Sequence, residues 1–89
     1  MSSYLGLDPT AVRSLASQLS NAAGEIKNLT GQLTNALQNT PWTGPDREHF
    51  VNDWQSNHVT QLTNVANALE TASQQANSNA QQQEQASNG

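Results

Sequence analysis

The chain has 89 residues and a mass of 9.6 kDa, enough for one domain at most. It has no cysteine, which excludes disulfides, thiolate metal sites and a cysteine nucleophile. Three basic residues against seven acidic ones leave a net charge of -4, too little positive charge for a phosphate-binding surface, so nucleic acid is not an expected partner.

Leu, Ile, Val and Phe together number 15, whereas Asn and Gln number 22. A chain this poor in large apolar residues folds only if they share one narrow stripe, and such a small core gains from oligomerisation. The opening MSSYLGLDPT has neither a basic residue nor an apolar run of secretory length, so no Sec signal peptide is expected. No stretch approaches the ~20 apolar residues of a membrane span. Any export must use a route independent of a signal peptide.

Pro9, Pro41 and Pro45 punctuate the chain. Asp8 is a good N-cap, and Pro9 suits the first helical position, where its missing N–H costs nothing. Apolar residues then recur at Val12, Leu15, Leu19, Ala22, Ile26, Leu29, Leu33 and Ala36 or Leu37, in alternating steps of three and four. That 3.5-residue period belongs to a narrow helix–helix seam. It predicts a helix over about 9–39, roughly 45 Å long. Gly24 and Gly31 each weaken it by roughly 1 kcal/mol relative to Ala. Gly31, beside the stripe, is the better candidate for a close helix approach.

Residues 40–44 form the joint. Pro41 ends the first helix, and Thr43 or Gly44 can cap the second ahead of Pro45. Asp46 and Glu48 then place negative charge in the first turn, where the helix dipole favours it. Two long helices joined this tightly fold back as an antiparallel hairpin. The second helix is expected over about 45–79, with the stripe Phe50, Trp54, His58, Leu62, Val65, Leu69, Ala72 and Ala76. Its early steps are all fours. The hairpin domain is thus placed at 1–79, and 80–89 is expected to be a flexible polar tail. The fold class is all-α: an antiparallel two-helix hairpin that dimerises into a four-helix bundle and so covers both stripes.

Trp42-Thr43-Gly44 sits mid-chain between proline-bounded helices, followed by aromatics in WTGPDREHFVNDW. In this the chain resembles the WXG family of small type VII (ESX-type) secretion proteins, from about residue 7 to 76. The resemblance implies helical hairpins paired as antiparallel homodimers or heterodimers, exported folded by an ATPase-driven machine as effectors or as carriers of larger cargo. It implies a protein that is cytoplasmic before export and then secreted or at the cell surface. It places Trp42 and Gly44 at the hairpin tip. One element departs from the pattern. Many exported members carry Tyr-x-x-x-Asp/Glu after the second helix, but here Ala66 precedes Glu70 and Ala80 precedes Glu84, and the one tyrosine is Tyr4.

Trp42 and Gly44 serve recognition at the tip, simple turn packing, or both. The interface candidates, core or dimer, are Val12, Leu15, Leu19, Ile26, Leu29, Leu33, Phe50, Trp54, His58, Leu62, Val65 and Leu69. His58, as an interface histidine, would make pairing sensitive to pH below 7. His49 and His58 fall on different helix faces, and His49 is spaced to meet Asp53, which is too few ligands for a metal. Asp46, Glu48 and Asp53 read as helix-start charge, since a narrow hairpin offers no desolvated pocket for a carboxylate pair. No catalytic, cofactor or metal site is expected. The chain is read as acting by binding, either as a secreted pair or as an intracellular adaptor for a larger toxin or a sister hairpin.

Overall fold

The structure, a computed structural model, describes residues 7–88. Within them all regular structure is helical. Helix α1 spans Pro9–Asn39. The returning arm comprises α2 (Pro45–Asp53), a single π-helical turn (Trp54–His58) and α3 (Val59–Asn88). The molecule is an extended hairpin, 65 × 17 × 16 Å, with a radius of gyration of 19.6 Å. A compact chain of 89 residues would have about 12 Å.

The helix ends follow the local chemistry. Asp8 Oδ1 accepts from the N–H groups of Thr10 and Ala11 at 3.0 and 3.4 Å, satisfying two of the orphan donors of α1. At the other end Thr40 donates its N–H to Leu37 O and its hydroxyl to Ala36 O. Gly44 caps α2 with φ at +112°, a backbone angle that side-chain-bearing residues avoid.

The seam of the hairpin is lined by small residues. Ala16, Ala23, Ala66 and Ala80 are fully buried and Ser73 nearly so. They fall at seven-residue intervals: Pro9, Ala16, Ala23, Thr30 and Leu37 on α1, and Val59, Ala66, Ser73 and Ala80 on α3. The Ser73 hydroxyl donates to Ala16 O at 2.7 Å across the seam. That contact fixes the antiparallel register and sets Ala23 against Ala66, seven residues along one helix and seven back along the other. Side chains of this size let helix backbones approach closely, at the short end of the usual 8–10 Å.

The leucine stripe has the expected period, but it is not the line along which the two helices touch. The seam lies one residue beyond Leu15, Ala22, Leu29, Val65 and Ala72. Two facing rows of leucines would hold the helices apart, whereas alanines close the gap.

Two further expectations need correction. The tail expected to be flexible over 80–89 is helical through Asn88, so the hairpin continues past residue 79. Ala80 extends the seam, Arg13 pairs with Glu84, and glutamine and alanine are sound helix formers. The second arm is also not one uninterrupted α-helix. Steps of four drift by about 40° each on an α-helix, so three such steps misalign Phe50 from Leu62 by about 120°. The π turn over Trp54–His58 admits one extra residue, worth about 100°, and removes most of that drift.

Candidate functional site

Helical geometry gives the two long sides of the rod different surfaces. Positions four beyond each seam residue are Arg13, Ser20, Lys27 and Thr34 on α1, and Thr63, Glu70, Asn77 and Glu84 on α3. All are polar. Positions three beyond are Val12, Leu19, Ile26 and Leu33, and then Leu62, Leu69 and Ala76. Positions one before add Leu15, Leu29 and Val65. In an antiparallel pair, equivalent positions on the two helices flank the seam on the same side. One side is therefore polar, and the Arg13–Glu84 ion pair crosses it. The opposite side is a continuous apolar front.

That front is incompletely covered. Val12, Leu19, Ile26, Leu62 and Leu69 are half-buried beside the seam. Leu15, Leu29, Leu33, Phe50 and Val65 retain between 49% and 57% exposure. The interface candidates drawn from the sequence thus fall on one surface, apart from His58, whose ring is exposed and turned to Asp53. Sequence reading missed the alanine and serine seam beneath them. Its signal was present as a second seven-residue repeat, but small residues carry little hydropathy.

The tip gathers Trp42, Phe50 and Trp54. Trp42 is half-buried, and its ring lies 5.5 Å from that of Phe50 at 55°. This tilted contact suits aromatic quadrupoles. Trp54 Nε1 donates to Thr34 Oγ1 at 2.9 Å, and Thr34 Oγ1 donates to Thr30 O at 2.8 Å. This relay fixes the indole beside α1. Leu33, Leu37, Phe50 and Trp54 together line an apolar groove of about 140 Å³.

The π turn also rearranges the polar residues. His58 Nε2 lies 3.2 Å from Asp53 Oδ2, and Asn57 Nδ2 donates to Asp53 Oδ1. In an α-helix residues five apart point about 140° away from each other. The wider turn brings them together, so Asp53 meets His58 and not His49. The ring of His58 also lies 5.9 Å from that of Trp54. Gly24 and Gly31 have nothing within 4 Å of where a Cβ would stand, so neither serves a close approach within the hairpin.

At the open end the Arg13 guanidinium hydrogen-bonds Glu84, and this bond, aided by its charge, holds the carboxyl below its ordinary range. Among the described residues, no cluster of three or more His, Asp or Glu is placed to hold a metal, and no helix is long and apolar enough to cross a membrane. No protein-family model, curated protein or solved structure matches the chain.

Proposed function

We propose that this chain is a non-enzymatic binding protein whose apolar front pairs with a second helical hairpin, in the manner of the small type VII secretion proteins that it resembles. The observation that carries this reading is the exposed row Leu15, Leu29, Leu33, Phe50 and Val65, set over a seam already closed by smaller residues. The chain exposes 6319 Å². A compact monomer of its mass would expose about 5,100 Å². The excess, about 1,200 Å², is more than the ~800 Å² that each partner buries in a standard interface. Bulk on the front is graded, with Leu33, Leu37, Phe50 and Trp54 near the tip and Ala72 and Ala76 toward the open end. A head-to-tail partner sets large residues beside small ones, so that the two fronts match in bulk.

The partner is a second copy or a sister chain, and the pair leaves the cell as a folded unit or carries a larger cargo to a secretion ATPase. A second reading, an intracellular adaptor for a larger exported protein, draws on Ala80. This position precedes Glu84 by four, where the family's export signal has tyrosine, and it is fully buried in the seam. A tyrosine would not fit there, and in this reading the partner supplies the signal.

Light-scattering mass across a concentration series, with circular dichroism on the same fractions, tests the pairing. A helical dimer persisting to low micromolar is the expected result, with Leu29→Asp monomeric and equally helical. A wild-type monomer at all concentrations overturns self-pairing. Release into the medium that is lost when the secretion ATPase is deleted supports export. Release only with a co-expressed partner favours the adaptor.

A further inference from the structure

The tip groove lined by Leu33, Leu37, Phe50 and Trp54 is apolar, preformed and about 140 Å³ in volume. It is too small for a typical ligand, whose pockets start near 300 Å³, and suits one large side chain. We infer that its occupant is the head of a second copy, Tyr4-Leu5, inserted in trans at each end of the pair. This rests on the head-to-tail pairing proposed above.

Reach and chemistry select that segment. Tyr4 stands five residues before Pro9, a stretch that spans about 17 Å when fully extended. From Pro9 to Leu33 along α1 is about 36 Å, so a chain's own head does not reach its own groove. In a head-to-tail pair the open end of one hairpin lies beside the tip of the other. Two segments then become available, the head and the C-terminal stretch. The latter reads QQQEQASNG and offers nothing apolar larger than Ala86. The head offers Tyr4 and Leu5. The groove is also held ready by the Trp54–Thr34–Thr30 relay, so insertion need not order the indole.

The test places a photo-crosslinker at the head, Tyr4→p-benzoylphenylalanine, and mixes this full-length chain with isotopically heavy wild-type copies. After irradiation, crosslinked peptides joining position 4 of a light chain to residues 33–54 of a heavy chain are expected. In parallel, Tyr4→Ser/Leu5→Ser should raise the dissociation constant of the pair about tenfold. The same change in a Phe50→Ala background should add much less, because both remove one contact. A pair of unchanged mass whose crosslinks fall at the open end, or whose two sets of substitutions add fully, overturns the head-in-groove contact and leaves the pairing intact. A chain that stays monomeric overturns the pairing itself, and this inference with it.

Discussion

Along the seam the buried residues are Ala16, Ala23, Ala66, Ser73 and Ala80, while on the front Leu15, Leu29, Leu33, Phe50 and Val65 remain about half exposed. The usual order of burial is reversed, with the smallest apolar side chains innermost and the largest outside. A hairpin that had to stand alone would bury its leucines, since each is worth about 1.5–3 kcal/mol on full burial against much less for alanine. The seam provides geometry, a fixed register and a close approach. The front keeps most of the hydrophobic driving force in reserve. Two surfaces of one rod thus divide the tasks of shaping the fold and binding.

The strongest way to break this division is to overfill the seam. Ala66→Phe puts a ring where no space exists, and should cost the hairpin about 3 kcal/mol. The measurement is the midpoint of thermal unfolding by circular dichroism. Leu29→Ala, on the front, should leave the fold of the isolated hairpin nearly unchanged and weaken only its pairing. Equal losses of helicity in the two variants would mean that the seam and the front are one core.

A smaller and more selective test uses register. Deleting Ser56 from the π turn restores a regular α-helix and keeps both flanking segments in phase, because the turn holds one residue too many. The hairpin should survive with a change within about 1 kcal/mol, and Asp53 and His58, then four apart on one helix face, should keep their contact. Deleting Thr63 instead rotates the rest of α3 by about 100° and brings Asn67, Gln74 and Gln81 to the seam. That chain should lose most of its helicity. If both deletions unfold the protein, the π turn is not a phase corrector.

The sequence made the helices legible because Pro9, Pro41 and Pro45 delimit them and the leucine period runs through them. The front was legible for the same reason, since Leu15, Leu29 and Val65 dominate any hydropathy pattern. The seam was not, because alanine and serine barely register as apolar and also occur in solvated helices. Their seven-residue recurrence is decisive only once the two helices are laid side by side. The π turn left a trace in the steps of four from Phe50 to Leu62, a phase error that some local insertion had to absorb. The helical stretch after Asn79 left almost none. Its polar composition is that of a solvated end, and its helicity rests on Ala80 and one long-range ion pair.

That ion pair gives the smallest effect and marks where the seam ends. The hydrogen bond and charge of Arg13 hold the Glu84 carboxyl below its unperturbed value of 4.5. A depressed carboxyl contributes above its unfolded value and loses that contribution as pH falls through its folded one. The last turns of α3 should therefore be held at neutral pH and fray selectively below about pH 4.5. Both partners are solvent-exposed, so the change stays local and salt weakens it. Amide exchange followed by nuclear magnetic resonance, corrected for the intrinsic pH dependence, would show protection lost beyond Ala80 while amides near Ala66 keep theirs. Glu84→Gln should show the low-pH pattern already at pH 7. If acid instead loosened α3 evenly from Val59 onward, the C-terminal turns would not be a separately held extension. Seam and end would then open as one cooperative unit.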